Sequence, residues 1–416
     1  MGGTKKIIII GAGAIGLSAG YYLEREGYDI TILERSSRPE GCSFGNAGMI
    51  VPSHFIPLAA PGVIKKGIKW HFNPESPFHI KASADPELIK WLWKFYRSSS
   101  HKHVDNSISI LSILNLASRD LFKEMSKTLD FGFESKGLLM VANTNRGLQE
   151  ELETVKLAKK VGIITEVVTA SEIEKLQPGI RFDVKGGVYF RQDANINPSL
   201  FMTKMSAWLH ERGVKTEYGV SVTGFEAENG TIKSVITDKG LFNADEVIVA
   251  AGAWSPSITA KLGIKLPVVA GKGYSITVAN PVKQLTIPSI LSEGKVAITP
   301  FGNLLRFAGT MGLADSNDRI EKRRVKGMIK SIRSYMPDFN EVDLESLKIW
   351  VGLRPVSADG LPYIGRFKRY SNLLAATGHS MMGISLAPVT GRLLEEIVSD
   401  KTTLADLARL SPDRHS

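Results

Sequence analysis

The chain has 416 residues, 43% of them hydrophobic, and 52 Lys plus Arg against 42 Asp plus Glu leave a net charge of +10. That is enough apolar material for two or three ordinary domains with a large core, and it excludes a disordered chain. The basic excess favours acidic ligands or anionic lipid; with the basic residues scattered and no zinc-finger, RNA-recognition or helix-turn-helix signature, nucleic acid is not an expected partner.

Ile7-Ile8-Ile9-Ile10 is a buried-strand run that feeds into Gly11-Ala12-Gly13-Ala14-Ile15-Gly16, then a helix from Leu17 to Glu26, then Ile30-Thr31-Ile32-Leu33 ending in Glu34. This order points to a dinucleotide-binding unit, the alternative being a glycine-rich turn in an ordinary strand-to-helix unit. Gly11 makes the tight turn, Gly13 admits a pyrophosphate to the backbone, and Gly16 lets the helix pack on the strand. Glu34 stands where an acceptor for ribose hydroxyls is needed. Two lysines before an apolar stretch resemble a secretory signal. Glycines interrupt that stretch and Glu24-Arg25-Glu26 follows at once, so a mature cytoplasmic start is expected.

Gly41 to Pro61 is rich in small residues, Pro and His and suits a long loop at the carboxyl ends of strands, where such sheets bind ligands. Its Cys42 is the only cysteine, which forbids an intrachain disulfide, suits a reducing compartment and cannot build a cysteine metal site alone; no metal is expected. Helical periodicity runs from Asp85 to Leu129. Its first part, Pro86 to Arg97, mixes Trp, aliphatic and basic residues, as either an interfacial helix or a core helix with two buried tryptophans would.

Gly137 to Val141 reads as a strand, Leu148 to Val161 as a charged helix, Val188-Tyr189-Phe190 as a strand, and Pro198 to Arg212 as a helix. Short strands follow near Val220 to Val222 and from Ile232 to Thr237. Asp245 to Trp254 repeats the opening logic, a buried parallel strand ending in a small-residue turn. Pro267 to Gly312 alternates as an antiparallel sheet does, Lys322 to Tyr335 is a basic helix, Leu373 to His379 is a strand entering a turn, and Gly383 to Val398 is a helix. No apolar run reaches the roughly 18 to 20 residues needed to cross a bilayer. The expected class is α/β, α+β overall: a discontinuous Rossmann-like nucleotide domain (1–50, 190–264, 350–416) and a substrate domain with an antiparallel or mixed sheet and helices (51–189, 265–349).

Five blocks in one order carry a resemblance: Gly11 to Gly16 with Glu34; Cys42-Ser43-Phe44-Gly45-Asn46-Ala47-Gly48; Lys272-Gly273-Tyr274-Ser275; Gly352-Leu353-Arg354-Pro355 continuing to Asp359-Gly360-Leu361-Pro362-Tyr363-Ile364-Gly365; and Thr377-Gly378-His379. Over essentially its full length the chain resembles the FAD-dependent D-amino acid dehydrogenases, within the D-amino acid oxidase and glycine oxidase family. The resemblance implies non-covalent FAD, its pyrophosphate at the helix N-terminus beyond Gly11, Gly13, Ala14, Ile15 and Gly16, where free N–H groups favour negative charge. It carries cofactor contacts to Glu34, Arg35, Cys42, Ser43, Asn46, Ala47, Gly48, Met49, Val222, Ala251 and Gly252. It adds the turn of Gly378, His379, Met382, Gly383, Ile384 and Ser385, whose following helix would favour charge developing on the reduced ring. Cys42 is a small packing residue or a redox thiol, without a resolving cysteine. His379 is a donor to the flavin or a satisfied structural histidine.

For substrate, the resemblance assigns Arg354 to the amino acid carboxylate, which a planar guanidinium grips with two parallel hydrogen bonds. The alternative is an Arg354–Asp359 salt bridge. Arg306 lies in an apolar strand and must point to solvent or to a charged partner. Tyr274 and Met381 are further substrate candidates. His54 is a pocket wall, a base for the ammonium proton, or an exposed loop residue. The glycine oxidase branch has another arginine where Met381 stands and a tyrosine where Ala297 stands, which favours the dehydrogenase branch. The implied activity is oxidation of D-amino acids, cyclic ones such as D-proline or a hydroxyproline isomer included, by hydride transfer to flavin N5. Electrons would pass to a quinone, with peripheral contact at the inner face of the cytoplasmic membrane. A glycine or sarcosine type oxidase using oxygen and a non-catalytic flavin-binding protein are the alternatives.

Overall fold

The computed structural model describes residues 4–64, 67, 73, 75–80, 85–314 and 316–415. Among these residues two large sheets organise the chain. The first has six strands in the order Tyr363–Arg366, Leu373–Thr377, Glu246–Val249, Lys6–Ile10, Asp29–Glu34 and Lys215–Tyr218. All neighbours are parallel except the antiparallel edge pair Tyr363–Arg366 with Leu373–Thr377. Ile7 to Ile10 are buried on both faces, which is why this strand reads as an unbroken β-branched run instead of an alternating one. Helix Ala14–Glu24 covers one face and packs on the last helix, Ala387–Val398.

The second sheet has nine strands. Its path runs Ile349–Ser357, Val268–Ala279, Leu304–Leu313, Val296–Phe301, Ser289–Leu291, Leu138–Ala142, Gly186–Phe190 and Thr165–Thr169, with Phe78–Ile80 pairing the end of Leu304–Leu313. Most pairs are antiparallel, and Ser289–Leu291 with Leu138–Ala142 is parallel. Helix Lys322–Tyr335, found at its expected limits, buries Val325, Met328, Ile329 and Ile332 against one face, together with Tyr274, Ile276, Leu305 and Phe307 of the sheet. The divisions drawn at 190 and 350 each cut through a strand of this second sheet.

Two helical expectations change. The 85–129 pattern is two helices, Pro86–Ser98 and His101–Met125. The break falls at Ser99 and Ser100, and Ser100 caps the second helix by accepting from His103 N–H. The final α-helix starts at Ala387, not Gly383, after a 3-10 turn Ser380–Met382. Leu386, the residue before the helix, has φ −98° and ψ 6°, outside the helical range, and Pro388 sits in the first turn, where its missing N–H costs nothing, so the helix starts there.

Candidate active site

Each glycine of the opening turn has its own geometric reason. Gly11 has φ +112°, and a Cβ there would sit 2.6 Å from the carbonyl oxygen of Ala250, the residue just after the neighbouring strand Glu246–Val249. A Cβ on Gly16 would lie 1.9 Å from the Gly11 oxygen, so only hydrogen lets the helix approach. Gly13 faces nearly open space, its closest neighbour being Ser43 Oγ at 3.7 Å from an added Cβ. Ala14 N–H donates to that same Ser43 oxygen at 3.1 Å, which ties the 41–48 loop to the helix start near Ile15.

Glu34 lies at the end of the second strand. One carboxylate oxygen accepts from Ala12 N–H and the other from Ser36 N–H, both at 2.9 Å, so the acid is aimed across the glycine turn. Val220 N–H donates to the Glu34 carbonyl at 2.9 Å, which brings the start of strand Val222–Glu228, and with it Val222, to the same edge. Arg35 stacks its guanidinium over Trp254, 4.5 Å from the ring centre, beside the turn of Ala251 and Gly252.

The 41–48 loop is clamped against the second sheet. Arg306 donates to the carbonyls of Phe44 (3.0 Å) and Asn46 (2.7 Å) and to Thr277 Oγ1 (3.0 Å). These are neutral acceptors, not the solvent or charged partner expected from the strand pattern, and burial lowers its pKa to about 10. Ser275 Oγ donates to Gly45 O at 3.0 Å, and Asn46 Oδ1 accepts from Gly48 N–H at 2.8 Å. Cys42 Sγ accepts from Leu353 N–H at 3.3 Å. Burial raises its pKa, which keeps it a packed thiol. Beyond Ala47, Met49 and Ile50 pair with Asn195 and Ala194, and Val51 N–H donates to Ser385 Oγ at 3.0 Å. Ser385 in turn donates to Asn115 of helix His101–Met125, so the Gly378–Ser385 turn and the 41–54 loop are held together, with Met382 and Ile384 buried between them.

His379 has a structural partner for one of its ring nitrogens. Its Nε2 is 2.9 Å from Thr390 Oγ1, whose single proton is donated to Leu386 O, so the histidine is the donor. Burial lowers its pKa to about 3, leaving a neutral ring. Met381 next to it is 45% exposed.

Arg354 is the exceptional cation. It lies on strand Ile349–Ser357, with its guanidinium folded over Gly273 of the adjacent strand. A Cβ at that glycine would be 2.0 Å from Nη1 and 2.5 Å from Cζ. Nη1 donates to Thr310 O at 2.9 Å; Thr310 itself has φ +65°. The residue is half-buried, and burial brings its pKa down to about 10. Among the described residues no carboxylate pairs with it. The alternative partner, Asp359, is taken by Arg414 through two bonds of 2.7 and 2.9 Å and by His415 at 3.0 Å. Trp350 shares this face of the sheet and threads between Gly45 and Gly352, where added Cβ atoms would come within 2.0 Å of its ring.

Tyr274, expected near substrate, lies on the opposite face. Residues alternate along a strand, so Gly273 and Ser275 face Arg354 and the 41–48 loop, while Tyr274 packs beneath helix Lys322–Tyr335 and accepts from Glu321 N–H at 3.1 Å. His54 is half-buried at the end of the loop, its Nδ1 3.0 Å from Ser53 Oγ, and the closeness of that hydroxyl to the buried Asp193 was not foreseen.

The chain matches the DAO family, described as FAD dependent oxidoreductase, over residues 6–397, and it belongs to that family. It is 30% identical over 403 residues to the D-amino acid dehydrogenase of Vibrio vulnificus, covering 95% of this chain and 96% of that protein. It is 29% identical over 422 residues to the D-amino acid dehydrogenase of Granulibacter bethesdensis, covering 99% and 100%. In fold it is similar to glycine oxidase from Geobacillus kaustophilus, with a TM-score of 0.79 at 23% identity over 99% of this chain and 100% of the other. L-proline dehydrogenase from P.horikoshii gives 0.76 at 20% identity over 100% and 98%. The protein is therefore an FAD-dependent oxidoreductase. Its residues fit that cofactor: the cradle at Gly13 that a Cβ would enter, the carboxylate of Glu34 aimed across the turn, and open space at Gly252 and Gly383, where an added Cβ would meet nothing within 4 Å.

Proposed function

We propose that this chain oxidises D-amino acids, with Arg354 binding the substrate carboxylate. The observation that carries this is a half-buried guanidinium, its pKa lowered by burial to about 10, with no carboxylate of its own among the described residues, since a charge partly withdrawn from water favours a counter-charge and an amino acid brings one. The names of the curated relatives support the substrate class, and the loss of the glycine oxidase branch's arginine and tyrosine at Met381 and Ala297 supports a dehydrogenase. The six-stranded sheet is the cofactor domain in this proposal and the nine-stranded sheet the substrate domain.

Bound FAD supplies the acceptor, at N5, for the hydride leaving Cα. The chain supplies the rest. Gly11, Gly13 and the helix start at Ala14 meet the pyrophosphate, Glu34 the ribose, and the 41–49 loop, braced by Arg306, the ring. Arg354 orients the substrate through two hydrogen bonds, and His54, neutral because burial and then Lys295 lower it to about 4, accepts the ammonium proton. The imino acid then hydrolyses, or leaves intact if cyclic.

Anaerobic flavin bleaching across a panel of D- and L-amino acids, proline and hydroxyproline isomers included, tests this. D-enantiomers should bleach the flavin with little peroxide in air. Stoichiometric peroxide would mark an oxidase, and no bleaching a flavin-binding protein without this activity.

A quinone acceptor fits helix Pro86–Ser98. Trp91 is buried with its Nε1 donating to Val356 O, but Ile89, Trp93 and Tyr96 are 57%, 59% and 62% exposed beside Lys90 and Arg97. An apolar cavity of about 310 Å³ lies alongside, lined by Ile64, Phe78, Trp91, Leu92, Phe95 and Leu313 among others. No helix among the described residues is long and apolar enough to cross a membrane. Peripheral contact through this face predicts co-sedimentation with anionic vesicles that Trp93→Ser weakens.

A further inference from the structure

We infer that Asp193, Ser53 and His54 form a hydrogen-bonded relay in which Asp193, through Ser53, sets which nitrogen of His54 is free to take a proton. This rests on the proposal that His54 meets the substrate amine.

Asp193 lies on the turn between strands Gly186–Phe190 and Ala194–Asn195, fully buried. One carboxylate oxygen accepts from Ser53 N–H at 3.0 Å and the other from Ser53 Oγ at 2.5 Å, and the same Oγ is 3.0 Å from His54 Nδ1. Among the described residues Asp193 makes no ion pair. A serine hydroxyl has one proton and two lone pairs, so the direction of the chain is forced from its far end. With Asp193 ionised, Ser53 must donate to it and can only accept from His54. Nδ1 then carries the hydrogen and Nε2 presents a lone pair. With Asp193 protonated, the chain reverses: Asp193 donates to Ser53, Ser53 to Nδ1, and Nε2 carries the hydrogen and cannot act as a base.

In the productive state the substrate N–H bond breaks, an Nε2–H bond forms, and the amine lone pair is freed on the substrate. The resulting imidazolium is matched through Ser53 by the Asp193 anion.

The charges that face the relay come from other elements. Arg119, on helix His101–Met125, favours the Asp193 anion, while Lys295 disfavours charge on His54. Burial raises Asp193 to about 7, whereas His54 is lowered to about 4. Near neutral pH Asp193 is therefore the member that titrates, and the ring changes tautomer without changing charge.

The test uses the full-length, flavin-loaded enzyme labelled with 15N-histidine, the His54 signals being those lost in His54→Gln. In the wild type Nε2 should be of the unprotonated type above pH about 7 and convert to the protonated type below it. Ser53→Ala should abolish that conversion, and Asp193→Asn should do the same. Ser53→Ala keeps the backbone bond to Asp193, so it carries the test if the Asn variant does not fold. In anaerobic flavin reduction both variants should lose about 10- to 100-fold in kcat with KM within about twofold, and lose the rise in rate near pH 7. One tautomer throughout the pH range in the wild type, or an unchanged conversion in Ser53→Ala, overturns the relay. Full flavin reduction in His54→Gln with an intact conversion in the wild type overturns instead the assignment of His54 as base.

Discussion

Gly273→Ala separates the position of Arg354 from its charge. The added Cβ would fall 2.0 Å from Nη1 and 2.5 Å from Cζ, against the 3.4 Å at which ordinary contact begins, so the guanidinium must move by roughly 1.4 Å. Gly273 does not have a positive φ, and the atoms in the way are the far end of a flexible side chain, so the fold should absorb the change with Tm nearly unaltered. Binding should not. A displacement of about 1 Å in a positioning group costs on the order of 100-fold, and a carboxylate gripped by two bonds loses at least one of them. Stopped-flow flavin reduction should therefore show KM or Kd for the amino acid raised about 30- to 100-fold, with flavin content and melting temperature as in the wild type. Wild-type kinetics in a variant that folds and retains flavin would refute the placement of Arg354 at the substrate.

Glu34→Ala removes the acceptor of two backbone N–H groups beside the glycine turn. About 2 to 3 kcal/mol should be lost, seen as roughly 30- to 150-fold weaker flavin retention on gel filtration, and undiminished retention would count against the ribose assignment. Arg306→Met frees the Phe44 and Asn46 carbonyls that hold the 41–48 loop; a fall of about 2 to 3 kcal/mol in stability together with flavin loss is expected, and an unchanged melt with full flavin would show the brace to be unimportant. For Asp359, burial opposes ionisation, yet hydrogen bonds and charge from Arg414 and His415 hold the carboxyl well below the usual carboxylate range. A depressed folded pKa contributes stability that is present above the unfolded value near 4 and lost as pH falls through the folded one. Asp359→Asn should thus be about 3 to 5 kcal/mol less stable at pH 7 and lose less on acidification than the wild type; parallel pH profiles in denaturant melts would contradict this.

The nucleotide half was legible because its signals are local. An unbroken Ile run, three glycines at fixed spacing and a strand-ending acid each constrain a neighbouring stretch of backbone. That Arg354 is left without Asp359 was not legible, since nothing local says that Asp359 is taken by an arginine 55 residues further on. Tyr274 failed by one position: strand alternation puts Gly273 and Ser275 on the Arg354 face and sends Tyr274 to the core under Lys322–Tyr335, a parity argument available from the sequence. Two of the three partners of Arg306 are backbone carbonyls, which carry no side-chain signature, and the third is the hydroxyl of Thr277 on the adjacent strand. Asp193 resembles an ordinary turn acid until the fold buries it against Ser53.

The claim that a substrate carboxylate completes the charge of Arg354 is tested most directly by anaerobic bleaching with a D-amino acid and its carboxamide, in the wild type and in Arg354→Gln. Bleaching by the acid far below the concentration needed for the amide in the wild type, with that preference erased in Arg354→Gln, is the predicted result. Equal bleaching by acid and amide in the wild type would contradict it.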